Sequence, residues 1–316
     1  MTSTPPFKVA IVGVGKIARD QHIPAIAANA DFELAATVSG SGGIGGVENY
    51  SAIEDLLEAR EDITCVALCN PPQVRYAIAT KALAARRHVL LEKPPGATLS
   101  EVEALRELAA MQDVSLFATW HSRHAPSVST AKDWLKSRNI KRVSVIWKED
   151  VKHWHPGQKW IWEAGGLGVF DPGINALSII TEILPDPMHL TGASLEFPAN
   201  CETPIAAKLA FTDAKQAMIE ADFDWRQTGP QSWDIHIETD QGRLDLSKGG
   251  SDLTIDGGPV PVGSKEEYPE IYKKFASLLT SGTSDVDIAP LRHVADSFML
   301  GKRLVTDAFF DDGNTD

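Results

Sequence analysis

The residues of this 316-residue chain that could do chemistry gather in a few short runs. In VLLEKPPG, Val89 to Gly96, an apolar stretch delivers Glu92 and Lys93 against Pro94 and Pro95. Proline fixes φ and removes a backbone donor, so Lys93 is a placed charge and not the wandering tip of a surface side chain. In GVGKIA, Gly13, Gly15 and Ala18 fill the three positions of the dinucleotide fingerprint G-x-G-x-x-G/A. The first permits a tight turn, the second lets backbone approach a diphosphate, and the small third residue lets helix and strand pack closely. Lys16 and Ile17 then stand at the helix N-terminus, where free N–H groups and the helix dipole favour an anion. In DPGIN, Asp171 and Asn175 are four apart and share a face once helical, although Asp171 also stands where an N-cap would serve only amides. The run WKEDVKHWHPGQKWIWEAGGLGVFDPGINALS holds Trp147, Trp154, Trp160 and Trp162, half of the eight tryptophans. Aromatic faces beside carboxylates suit a sugar, whose ring has apolar C–H faces and a polar rim. The same tryptophans equally suit a core loop or an oligomer contact, and one or two are expected to be structural.

Composition bounds what these runs can belong to. The length exceeds a usual single domain, so two are expected, and 43% hydrophobic with 23% charged residues is ordinary for a globular core. A formal charge of −13 without a basic, aromatic-interleaved cluster argues against nucleic acid and leaves small molecules or further copies of the chain as partners. Cys65, Cys69 and Cys201 are an odd set, expected as reduced, buried thiols of a cytoplasmic protein; no metal is expected at Cys65 and Cys69, which lack a matching His or Cys pair. The start, MTSTPPFKVAIVGVG, reads neither as a signal peptide nor as a membrane span.

The elements that must position these residues alternate. Strands are predicted over Phe7 to Val12, Phe32 to Val38, Ile63 to Cys69, His88 to Leu91 and Val114 to Thr119, with helices beginning near Ile17, Ser51, Gln73 and Leu99. That alternation predicts a parallel, doubly wound α/β sheet. Loops after its strands bring Asn70, Pro71, Pro72, Glu92, Lys93, Pro94 and His121 to the rim where such sheets bind ligands. The second strand ends not in Asp or Glu but in Ser39, Gly40 and Ser41. No carboxylate there repels a 2′-phosphate and no arginine stands beside it in the sequence, so both NAD and NADP are expected to serve. The glycine-rich 39–47 reads as a flexible loop. From Arg142 to Ile255 short alternating segments predict a largely antiparallel sheet, and helices near Glu267 to Leu279 and Ala289 to Ala308 close the chain.

GVGKIA, EKPPG and DPGIN together resemble the Gfo/Idh/MocA oxidoreductases over nearly the whole length. The longer runs GKIARDQHIPAI, NPPQVRYA, EKPPGATL and ATWHSR narrow the resemblance to bacterial enzymes of that family that oxidise L-arabinose and D-galactose at C1. It implies a Rossmann domain over 1–121 and an α+β domain over 122–316 whose open sheet often joins subunits into a homo-oligomer, dimer or tetramer. It also implies oxidation of the anomeric hydroxyl of an aldopyranose to a lactone, hydride passing to the nicotinamide. In the family pattern Lys93 orients substrate, Asp171 lies at the reacting hydroxyl, and a histidine often follows four residues later; Asn175 holds that place here. An amide cannot shuttle a proton, so the general-base role falls to Asp171, with Lys93 and Asn175 positioning the hydroxyl. His121, Glu149, Asp150, Trp154, His155 and Trp160 carry over as sugar contacts, with a satisfied structural histidine an equal reading for His121 and His155. Another sugar or polyol oxidoreductase of the family, or a catalytically silent NAD(P)-dependent sensor, is the alternative.

Overall fold

A computed structural model of the chain describes residues 6–263 and 266–310. Its backbone divides into two compact units, 1–121 with 266–288 and 122–265 with 289–316.

The first unit is built on six strands, β1 (Phe7–Val12), β2 (Phe32–Val38), β3 (Glu48–Tyr50), β4 (Cys65–Leu68), β5 (His88–Leu91) and β6 (Leu116–Ala118), in the order β3-β2-β1-β4-β5-β6. All neighbours are parallel, which is the doubly wound order with its switch point beside β1 and β4. Apolar runs without alternation make sense because both faces are covered. Ala10, Val12, Val66, Leu68, Val89 and Leu91 pack with the helices on one side, while Val9, Ile11, Cys65, Ala67 and Leu90 pack on the other. Edge strand β3 was not foreseen, being only three residues long and following the glycine-rich loop. Helix Leu99–Gln112 starts after EKPPG at a capping box of Thr98 and Glu101, which fixes where the EK turn ends.

The sequence placed everything after 121 in one domain, and there the structure differs. Helix Glu267–Ser281 returns to the first unit and lays Tyr268, Ile271, Tyr272 and Phe275 against its sheet, Phe275 stacking on Phe32 at 5.7 Å between centroids. Its amphipathic period was legible; which apolar face it would cover was not.

The second unit carries β7 (Ile140–Lys148), β8 (Met188–Pro198), β9 (Ala206–Asp213), β10 (Met218–Asp224), β11 (Ser232–Thr239), β12 (Gly242–Ser247), β13 (Asp252–Ile255), β14 (Gly258–Pro259) and β15 (Lys302–Thr306). Their order is β14-β13-β12-β11-β7-β10-β9-β8-β15, antiparallel except for the pairs β7–β10 and β8–β15. The last strand corrects the sequence reading, which ran a helix to Ala308. Helix Ala289–Leu300 ends before Gly301, where a Cβ would stand 2.4 Å from Ser297 O, and the following residues pair along β8. Helix Phe170–Ile183 packs its first turns on the sheet so closely that a Cβ on Gly173 would come 2.6 Å from the Phe223 ring. That contact explains the glycine in DPGIN. Among the described residues no helix is long and apolar enough to cross a membrane.

Candidate active site

In the first unit the glycine turn is drawn tight. Gly13 has φ of +87°, and a Cβ there would stand 2.9 Å from the backbone nitrogen of Asn70. Gly15 is exposed with nothing within 4 Å of a notional Cβ, so backbone is open to an approaching ligand. Helical backbone follows from Lys16 to Ala27, π-wound over Ala18–His22, with Ala18 buried, Ile17 half-buried and Lys16 exposed in a pair with Asp20. Asn70 closes the turn from the end of β4, and its Oδ1 is a buried acceptor without a partner among the described residues. Pro71 and Pro72 start the helix Pro72–Ala84 behind it, where a missing N–H costs nothing. A cradle that only glycine fits, beside an orphaned acceptor, suits a dinucleotide.

The EK turn is held by residues that sequence reasoning missed. Arg75 is buried and donates to the carbonyls of Asn70, Glu92 and Pro94, joining the ends of β4 and β5. Glu92, 4% exposed, accepts from His22 Nε2 at 3.0 Å, from Tyr268 Oη at 2.9 Å and from the Lys93 amide at 2.9 Å. Burial pushes the Glu92 carboxyl up, but the hydrogen bond and charge of His22 outweigh it and bring it down to about 2. Burial likewise disfavours charge on His22, yet Cys69, Tyr272 and Glu92 reverse this and raise it well above its ordinary value. Tyr268 and Tyr272 are pushed up by burial, the latter to about 12, and stay neutral phenols. Lys93 is thus presented half-buried, on a fixed turn. His121 spends Nδ1 on Glu267 at 2.6 Å and stacks on Tyr268. Arg75 lies 5 to 19 residues from the carbonyls it holds, but the histidine, tyrosine and Glu267 contacts span 70 to 250 residues, and no local pattern links them.

Ser39, Gly40 and Ser41 follow β2, with the two hydroxyls 3.1 Å apart. The sequence offered no arginine beside them, but the fold brings Arg19 over this loop, its Nη2 donating to Gly43 O at 3.4 Å.

In the second unit Asp171 is not an N-cap: Val169 holds that position, and Asp171 lies within the first turn, 4% exposed. Its Oδ2 stands 3.6 Å from His155 Nε2, and the same nitrogen is 4.0 Å from Glu149 Oε1. Glu149 accepts one indole N–H at each oxygen, from Trp225 at 3.1 Å and Trp233 at 2.9 Å. Burial pushes its carboxyl up; the indoles and His155 pull the other way, and Asp171 adds to the rise. Asn175 lies one turn after Asp171, and its half-buried amide has no hydrogen-bond partner among the described residues. Trp154 is exposed and meets Trp233 edge-on at 5.6 Å, while Trp162 packs against the fully buried Trp225. Trp147 is core, and Trp160 sits half-buried in the turn Lys159–Trp162. Asp150 does what Asp171 does not: it caps helix Val151–Trp154 through the Lys152 amide at 2.9 Å, so its carboxylate has a structural job. Trp225, just past β10, and Trp233, in β11, were missed because nothing in their local sequence points at Glu149. A cavity of about 640 Å³ opens elsewhere in this unit, lined by Lys159, Trp162, Glu163, Cys201, Glu202 and Phe309 among others, and takes in neither Asp171 nor His155. The three thiols are free, but only Cys65 is buried; Cys69 stands past the end of β4 and Cys201 in a loop, both partly exposed.

Residues 7–119 match the model of an oxidoreductase family with an NAD-binding Rossmann fold. The chain is 44% identical over 308 residues to a galactose 1-dehydrogenase of Pseudomonas fluorescens, covering 97% of this chain and 99% of that one. The crystal structure of a D-galactose-1-dehydrogenase protein from Rhizobium etli superimposes with a TM-score of 0.95 at 59% identity, over 98% of this chain and 100% of the other. A 3-ketoreductase from Actinomadura kijaniata, solved with NADP, shares the fold at a TM-score of 0.80 and 19% identity, over 95% of this chain and 99% of the other.

Proposed function

The chain belongs to the Gfo/Idh/MocA oxidoreductases, and from that membership we propose that it is a sugar 1-dehydrogenase, oxidising the anomeric hydroxyl of D-galactose and L-arabinose to the aldonolactone. The observation that carries the reading is the buried Asp171 carboxylate with His155 3.6 Å away and Asn175 on the same helical face.

Gly13, Gly15, Lys16, Ile17, Ser39, Gly40, Ser41, Asn70, Pro71 and Pro72 would hold NAD or NADP, with Glu92, Lys93 and Pro94 completing the rim. When bound, the nicotinamide supplies the acceptor for the hydride on C1. Asp171 takes the hydroxyl proton. A hemiacetal hydroxyl is a weak acid, and hydride leaves readily only as its proton is withdrawn, which a carboxylate within hydrogen-bond reach achieves. Lys93 carries over from the family resemblance as the cation that orients the substrate. Asn175 offers a donor and an acceptor that keep the hydroxyl oriented. Glu149 keeps lone pairs for sugar hydroxyls beyond its two indole bonds, His155 has Nε2 directed at both carboxylates, and Trp154 and Trp160 offer faces to the ring.

L-Arabinopyranose and D-galactopyranose share one ring hydroxyl pattern and differ by a hydroxymethyl group, a difference worth only ~1–3 kcal/mol in a pocket. Glucose misdirects one hydroxyl and leaves polar groups unpaired. Growth of NAD(P)H absorbance with galactose, arabinose and glucose in turn tests this; the first two should turn over and the third poorly, and no turnover with any would end the reading. The same reading has the enzyme working in the cytoplasm as a homo-oligomer, dimer or tetramer, which light scattering after gel filtration checks.

A further inference from the structure

Arg19 differs from the surface arginines that pair with a carboxylate. Arg60, Arg142, Arg226 and Arg243 each hold a carboxylate at 2.7 to 2.9 Å. Arg19 has no carboxylate partner among the described residues, in a chain of net charge −13; its guanidinium reaches only the Gly43 carbonyl, at 3.4 Å. The loop beneath it carries the Ser39 and Ser41 hydroxyls 3.1 Å apart, with Gly40 and Gly42 each open to solvent for 4 Å around a notional Cβ. Glu48 on the adjoining edge strand is turned to Arg60 at 2.8 Å. A sheet of this order reads the adenosine ribose at the end of its second strand, and a strict NAD site puts a carboxylate there for the 2′-hydroxyl. Here that place offers two hydroxyls and an arginine without a counter-ion.

We propose that Arg19, with the hydroxyls of Ser39 and Ser41, binds the adenosine 2′-phosphate, so that the chain prefers NADP to NAD. A guanidinium matches a phosphate with two parallel N–H donors, and the serine hydroxyls add neutral ones. The proposal rests on the dinucleotide reading of the glycine turn and not on the choice of sugar. It goes beyond the dual use that the loop sequence suggests, because Arg19 lies twenty residues before that loop and only the fold joins them.

Calorimetric titration of the full chain without sugar is the test, with NADP⁺, NAD⁺ and 2′,5′-ADP as titrants. Wild type should bind NADP⁺ at least about tenfold more tightly than NAD⁺, and Arg19→Gln should weaken NADP⁺ and 2′,5′-ADP by about 10–100-fold while NAD⁺ stays within about threefold. Arg19→Lys, keeping the charge but losing the fork, should recover part of the loss. Equal wild-type affinities, or a loss in Arg19→Gln shared equally by NADP⁺ and NAD⁺, would overturn the proposal, the second by assigning Arg19 to the diphosphate or to folding. Wild type that binds none of the titrants overturns it together with the dehydrogenase reading, whereas binding as expected without sugar oxidation leaves Arg19 standing and removes only the sugar.

Discussion

Glu92 and Glu149 are both buried carboxylates, 4% and 6% exposed, and their pKa values move in opposite directions. Burial raises each by the same physics, so the sign is decided by the donors around them. Glu92 faces a histidine that accepts a proton, and their mutual attraction inside the first unit holds it ionised at about 2. Glu149 is served by two neutral indoles and shares its surroundings with a second carboxylate, Asp171; hydrogen bonds without a full positive charge do not repay the desolvation, and its value rises. An ion pair suits a scaffold, and this one holds the Lys93 amide at the EK turn. A carboxylate raised toward the working range, beside another and a histidine, suits proton traffic.

The largest effect should come from the proposed base. Asp171→Asn is expected to lose about 10²–10⁴-fold in kcat while dinucleotide affinity is unchanged, and activity within a few-fold of wild type would move the chemistry away from this cluster.

Next comes the scaffold carboxylate. Glu92→Ala leaves His22 buried without its anion and should cost about 3–5 kcal/mol in denaturant unfolding, the expected result of breaking a buried pair from one side. The same contrast sets opposite pH signs. Glu92 lies below its ordinary 4.5, so its contribution to stability is complete above pH 4.5 and is lost as pH falls toward about 2. Glu149 lies above its ordinary 4.5, so its contribution is present below that pH and is lost as pH rises through the raised value. Unfolding curves of Glu92→Gln and Glu149→Gln against wild type across this range should therefore diverge in opposite directions; parallel curves would erase the distinction.

Smaller effects sharpen it. Glu149→Gln should lower kcat/KM about tenfold, the worth of one charged hydrogen bond, and move the acid limb of the pH profile. An unmoved limb would mean that Glu149 does not titrate with Asp171 during turnover. Trp233→Phe removes one indole donor, so that limb should shift to higher pH by less than about one unit, since a neutral hydrogen bond is worth about 1 kcal/mol.

How much of this was legible follows the range of the interaction. The strand Phe7–Val12, the glycine turn and the helix after it are written in adjacent residues, because φ limits, backbone approach and helix packing act over one turn. The pairing of Asp171 with Asn175 follows from helical period alone. Reading Asp171 as an N-cap failed because the helix begins two residues earlier, where Gly168 turns at positive φ. Asp150 and His155 came from the same quoted run, yet only the folded loop shows that one caps a short helix and the other points at Asp171.

By itself the sequence determined the alternation of elements and the fingerprint that admits a dinucleotide, and it put forward Lys93, Asp171 and Asn175 as candidates. Only the tertiary structure decided that a helix from residue 267 would return to the first sheet, that His22, Tyr268 and Arg75 would clamp the EK turn, that two distant tryptophans would bracket Glu149, and that Arg19 would overhang the loop after β2. Local preferences are set by a residue and its neighbours within a turn. Charge state and partner choice depend on what else is buried at the same point in space, and chain order carries almost no record of that.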